Sequence, residues 1–201
     1  IARVCFRINP NVGAHTHANI TTGLAENKFG IAMEDMELAI REAYELPKIE
    51  FMGLHFHIGS QILDMGDFEA LCSRINELQD RLEAQDIKVK VINVGGGLGI
   101  AYDDPDGKPI PDFEKYFSTY AKNLKLREGQ EVHCELGRAV VGQMGSLITR
   151  VLYVKHAHVK SFVIVDAGMS DLIRPALYDA HHNIQLLEDC EGREMCTYDV
   201  V

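Results

Sequence analysis

Tryptophan is absent from the 201 residues, proline occurs only six times, and positive charge is scarce, with 20 Lys and Arg against 30 Asp and Glu. The resulting net charge of -10, without a Lys/Arg cluster near either end, speaks against a surface that tracks nucleic-acid phosphates or docks on an anionic membrane. No nucleic-acid partner is expected. Long hydrophobic runs are missing as well: the nearly apolar stretch Val91 to Tyr102 is broken by four glycines and falls short of the roughly 18 to 20 residues a membrane span needs. The five cysteines, Cys5, Cys72, Cys134, Cys190 and Cys196, are odd in number and include no CxxC pair. They do not suggest a disulfide framework, and a reducing cytoplasm fits them best. What remains, 46% hydrophobic and 25% charged residues, is the composition of a soluble globular protein.

Apolar residues at Met36, Ala39, Ile40 and Ala43 predict an amphipathic helix over residues 33–44, with Glu34 and Asp35 at the favourable end of its dipole. Phe68, Leu71, Ile75, Leu78 and Leu82 form a second stripe of helical period, and Phe113, Tyr116, Phe117, Tyr120 and Leu124 a third. Between them Val4 to Ile8, Gly53 to His57, Val89 to Val94 and Val132 to Glu135 read as strands. Such βα alternation demands a parallel sheet, and its even spacing favours a (β/α)8 barrel, of which four strands are the second half. After Arg138 the β-branched runs Leu147 to Lys155 and Lys160 to Val165 announce a mostly β region. The expected class is α/β, with residues 1–144 a partial barrel and 145–201 the beginning of a C-terminal β domain. Both ends read as strands, as though cut from a longer protein.

Barrels place their chemistry at the C-terminal ends of strands, and three segments stand there. In Gly53 to Gln61, His55 and His57 lie two apart and share one strand face. Paired imidazoles suit zinc, but no HxxxH or HExxH pair accompanies them, and the competing readings are two ordinary barrel histidines or an imidazole laid against a flat cofactor beside a phosphate-binding Gly59-Ser60 turn. Val94 to Ile100 contains Gly95, Gly96, Gly97 and Gly99, whose bare amides can approach an anion. Such a run also serves tight turns for backbone reasons alone. Cys134 to Arg138 sets Glu135 and Arg138 three apart, a structural ion pair or a carboxylate for a ring nitrogen with a guanidinium for an anion. Together they suggest a phosphorylated aromatic cofactor and no metal.

These residues resemble the diaminopimelate decarboxylases, within the alanine-racemase-like group of pyridoxal-phosphate (PLP) enzymes. The resemblance rests on Arg7-Ile8-Asn9-Pro10, Thr16 to Gly23, Lys28 to Ile31, His55 to Gln61, Gly95-Gly96-Gly97, Glu135 to Arg138 and the run Asp166 to Tyr178. It implies that His57 stacks on the PLP ring, that Ser60, Gly96, Gly97, Gly137 and Arg138 serve the cofactor's phosphate side, and that Glu135 pairs with the pyridine nitrogen. It further implies that Arg138, Arg174 and Tyr178 contact an amino-acid substrate, that meso-2,6-diaminopimelate is decarboxylated to L-lysine, and that two copies complete each other's sites as a homodimer. Ornithine or arginine as substrate, or a piece without activity of its own, are the alternatives. Leu136 stands where that family has proline, and its cofactor-bearing lysine and proton-donating cysteine segments do not occur here. Cys190 and Cys196 read as surface or loop thiols.

Overall fold

The computed structural model describes residues 1–13, 23, 28–188, 191, 192, 194 and 196–201. The Thr16 to Thr22 part of the quoted motifs and Cys190 lie outside the described residues; Cys196 is exposed. The chain forms two compact units, one of Ile1–Ile100 with Lys108–Gln143, the other of Ala101–Gly107 with Met144–Val201.

In the first unit strands and helices alternate: β1 (Ala2–Arg7), α1 (Met36–Glu45), β2 (Ile49–His55), α2 (Met65–Glu83), β3 (Val91–Asn93), α3 (Phe113–Asn123), β4 (Glu131–His133) and α4 (Gly137–Val141). The strands pair in sequence order, β1-β2-β3-β4, all parallel. This is the α/β architecture that the periodicities predict, with as many strands as half of an eight-stranded barrel. The starts of α2 and α3 are fixed by side-chain caps. Asp64 accepts the Gly66 N–H at 2.8 Å ahead of α2, and Asp112 the Lys115 N–H at 2.8 Å ahead of α3.

The stripes of the three long helices bury as their spacing predicts, with Met36 and Ile40 of α1, Phe68 to Leu82 of α2, and Tyr116 and Tyr120 of α3 entering one core. Phe68 meets Tyr116 edge-on at 5.0 Å, locking α2 to α3. Phe117, expected in the core, is 49% exposed because it lies off the face that Tyr116 and Tyr120 share. β2 begins at Ile49, earlier than its sequence suggests, and Met52 is an extra residue opposite the Val4/Cys5 step of β1. That bulge lets Phe51 and Leu54, an odd number apart, both face the helices.

The second unit carries a three-stranded sheet in the order β5 (Val151–His156), β6 (Ser161–Val165), β7 (Asp199–Val200), antiparallel and then parallel. It also holds α5 (Arg174–Tyr178), a five-residue helix too short for periodicity to show. No described helix is long and apolar enough to cross a membrane.

Gly53 has the least room for a side chain of the glycines described, since a Cβ there would collide with the Val91 carbonyl of β3. Gly53→Ala is expected to lower stability by about 3 kcal/mol, read as a lower urea midpoint. Gly145→Ala, at a site open on all sides, is expected to leave the midpoint within about 0.5 kcal/mol of the parent.

Candidate active site

Parallel pairing aligns the ends of the strands. Arg7 pairs with His55, His55 with Asn93, and Asn93 with His133, so the four side chains stand at one level on one face. The ladder continues past the strands, from Phe56 N–H to Asn93 O at 2.8 Å, Val94 N–H to His133 O at 2.9 Å and Glu135 N–H to Gly95 O at 2.7 Å. His57, Gly95 and Glu135 therefore occupy the next level of the same face. The alternate residues Ile8, Leu54, Phe56, Ile92 and Val94 turn the other way into the core. One face of the β1, β2 and β3 ends thus packs into the core, which frees the other for polar groups.

Glu135 is held from both sides. Its Oε1 accepts a hydrogen bond from Asn93 Nδ2 at 2.9 Å, and its Oε2 lies 3.5 Å from His55 Nε2. Asn93 is itself fixed, because its Oδ1 accepts the Gly95 N–H at 2.9 Å. A half-exposed carboxylate is thereby oriented by residues of β2 and β3 together.

His57 Nδ1 accepts the Gly96 N–H at 3.4 Å, which leaves the proton of the neutral ring on Nε2. Burial pulls the His57 imidazole below its ordinary range, Arg7 and His55 pull it further, and Glu135 opposes them. For His55 burial again leads, with Glu135 opposing and Arg7 adding. Burial also lowers the Arg7 guanidinium, against Glu135.

The glycine run is required by its own packing. Gly95 and Gly97 have φ of +72° and +103°, and a Cβ on Gly95, Gly96 or Gly97 would strike the carbonyl of Phe56, Glu135 or Gly59 respectively. The turn alone therefore explains all three glycines, and the Gly96 amide is engaged by His57. The loops after β2 and β3 run side by side, with Ile62 N–H donating to Gly97 O at 2.8 Å and Gly99 N–H to Ile62 O at 2.9 Å. The Gln61 side-chain amide clamps Ile100, donating to its carbonyl at 2.6 Å and accepting its N–H at 3.1 Å.

β4 ends at His133, two residues before the expected Glu135, and Gly137 and Arg138 open α4. From there Arg138 Nη2 donates to Ser60 Oγ at 3.1 Å, joining two groups that sequence reasoning assigned to one phosphate. His55 as the last residue of β2, His57, Ser60, Gly96, Gly97 and Glu135 in the loops after the strands, and Arg138 in the first turn of α4 thus all stand at the strand-end side of the first unit. Arg174 and Tyr178 belong to the second unit, where the Arg174 guanidinium lies 5.4 Å from the Tyr178 ring, as one helical turn allows. No three His, Cys, Asp or Glu side chains converge as a metal site among the described residues. Arg7 and Asn93 went unassigned by sequence reasoning. The signal available was positional, since each is the last residue of its strand, level with His55.

The family profile "Pyridoxal-dependent decarboxylase, pyridoxal binding domain" matches residues 2–142. The chain belongs to the pyridoxal-dependent decarboxylases. Among relatives of this family, it is 65% identical over all 201 residues to the diaminopimelate decarboxylase of Bacteroides thetaiotaomicron, 52% of whose length it covers. It is 44% identical over 187 residues to that of Neisseria meningitidis serogroup A, covering 93% of this chain and 45% of the relative. The crystal structure of the Helicobacter pylori diaminopimelate decarboxylase complexed with L-lysine superposes with a TM-score of 0.88 at 38% identity, over 100% of this chain and 48% of that one. The chain therefore spans about half the length of the curated relatives it matches.

In this member of the family both histidines favour the neutral form. As pH falls below the ordinary imidazole value of 6.5, the unfolded chain takes up protons first. Stability tied to the neutral rings is thus full above that value and is lost as pH falls toward the folded-state values. Ring C–H resonances of the cofactor-free protein are expected to titrate below 6.5 for His55 and His57, and Glu135→Gln should shift the His55 midpoint lower still. A His57 midpoint at or above 6.5 would contradict this account.

Proposed function

We propose that the protein decarboxylates meso-2,6-diaminopimelate to L-lysine with PLP, in the cytoplasm and as a homodimer. The observation that carries the cofactor assignment is the carboxylate of Glu135, oriented by Asn93 and His55 on the polar face of the sheet. The substrate assignment is supported by the names of the relatives, one of which is a complex with L-lysine. The domain limits proposed are 1–144 for the cofactor-binding part and 145–201 for the β part.

The groups present fit the cofactor. Ser60 and Arg138 together offer a hydroxyl and a guanidinium to a phosphate, Gly97 and Gly137 offer backbone at close approach, and Glu135 offers a carboxylate to a ring nitrogen. PLP, when bound, supplies the conjugated system that takes up the electron pair left behind as carbon dioxide departs. Glu135 keeps a proton on the pyridine nitrogen by accepting its hydrogen bond, with Asn93 and His55 fixing where the carboxylate points. His57, neutral and with its Nδ1 turned to Gly96, packs an uncharged ring against the cofactor and does not compete for that proton. Arg138 balances the phosphate charge, and Arg174 with Tyr178 receives the distal end of the substrate.

In the full-length enzyme Glu135→Gln is expected to lower kcat by about 10²-fold or more while PLP still binds, as read by cofactor fluorescence titration. Turnover at the parent rate would overturn the role given to Glu135. Ornithine and arginine are expected to be turned over at least about 10²-fold less efficiently than meso-diaminopimelate. Equal kcat/KM for ornithine would leave the cofactor assignment standing and remove the substrate.

A further inference from the structure

The Ala101–Gly107 segment leaves the first unit between β3 and α3 and packs with the second. Within that unit Asp106 accepts a hydrogen bond from Gln185 Nε2 at 3.3 Å, and Tyr102 meets Arg174 and His182. The Arg174 guanidinium lies 4.7 Å from the Tyr102 ring centroid and 5.4 Å from that of Tyr178. The His182 ring meets Tyr102 edge-on at 5.3 Å. Burial, then Arg174 and His181, lower the His182 imidazole, so the neighbour of the guanidinium carries no opposing charge.

Two facts about Arg174 set it apart from an ordinary structural arginine. It makes no ion pair with a described carboxylate, and its Nε is buried without a hydrogen-bond partner among the described residues. Aromatic faces hold a guanidinium by its plane and leave the N–H edge, the part that forks onto a carboxylate, without a competing acceptor. A salt bridge would fix the side chain by occupying that edge. The arrangement is thus suited to an arginine held ready for an anion supplied from outside the chain.

We propose that Tyr102 is a positioning residue that, with Tyr178, holds the Arg174 guanidinium for the second carboxylate of the substrate, and so sets the preference for a diamino diacid over a diamino monoacid. This rests on the substrate reading above. Tyr102 touches no reacting atom in this account; it acts through Arg174.

The test uses the full-length holoenzyme with phenylalanine, 3,5-difluorophenylalanine and 3,4,5-trifluorophenylalanine at position 102, beside Tyr102→Leu. The fluorinated rings keep size and shape while weakening the negative face, so folding is preserved even if Tyr102→Leu does not fold. The KM for meso-diaminopimelate is expected to stay within about twofold for Tyr102→Phe, to rise with each fluorination, and to rise about tenfold in Tyr102→Leu, with kcat changed by less than about threefold. The inhibition constant of L-lysine, which keeps the distal carboxylate after the reacting one has left as carbon dioxide, is expected to rise in the same order, whereas that of 1,5-diaminopentane, which has no carboxylate, is expected not to move in any variant. A flat KM across the fluorinated series, or an equal rise in the 1,5-diaminopentane constant, overturns the role of Tyr102 while leaving diaminopimelate as substrate. Failure of the parent enzyme to turn over meso-diaminopimelate removes the substrate reading and this inference with it.

Discussion

The parallel register of the first unit is the constraint on which the rest depends. Because β1 to β4 pair in order with Arg7, His55, Asn93 and His133 at one level, a residue two positions further along any strand joins the next level beside its neighbours. Glu135 comes within reach of Asn93 and His55 for that reason alone, although the three are far apart in sequence. A one-residue slip of β3 would turn Asn93 into the core and Ile92 onto the polar face, so the apolar packing of Ile92 under the helices also enforces the geometry of the carboxylate. Stability and chemistry are specified by alternate residues of the same strands.

The electrostatics of that face follow from the alignment. Placing Arg7, two imidazoles and Glu135 together in a partly buried spot gives a cluster in which the cation and the carboxylate compete for influence over the histidines. Burial decides the direction, since it penalises imidazolium whatever the neighbours do. Arg7 reinforces burial, and the Gly96 N–H pointing at His57 Nδ1 leaves no lone pair there to protonate. The result is a neutral ring next to a carboxylate, an arrangement that lets Glu135 interact with a protonated nitrogen without losing that proton to His57.

Much of this was legible in the sequence because it is written in local periods. The stripe Phe68 to Leu82 could hardly have formed anything but α2, and His57, Glu135 and Arg138 were marked by standing after apolar runs. Register was not legible. Arg7 and Asn93 each appear as one polar residue at the end of an apolar strand, and only the pairing of neighbouring strands reveals that they share a level with His55. The bulge at Met52 hid the start of β2, because the extra residue breaks the period of two that would have announced Ile49 and Phe51. The glycines at 95 to 97 were visible but ambiguous, and the contacts at Phe56, Gly59 and Glu135 give each a steric reason independent of any ligand.

Tyr102 was hidden for a different reason. It sits among Asp103, Asp104 and Asp106 in a polar, proline- and glycine-containing loop, where a single aromatic residue carries no periodic signal. Its partners lie more than seventy positions away, Arg174 on α5, a helix of five residues that no pattern could reveal, and His182 beyond it. The physical difference between the roles proposed for Glu135 and Arg174 makes its position intelligible. Glu135 is an acceptor and can be oriented by donors on its flanks while keeping lone pairs for a further partner. Arg174 is a donor on every edge, so in its proposed role orienting it through carboxylates would consume the very groups needed for an incoming acid. Aromatic faces fix the plane without spending those donors, which is why a tyrosine recruited from a distant loop serves where an aspartate, abundant in the same loop, would not.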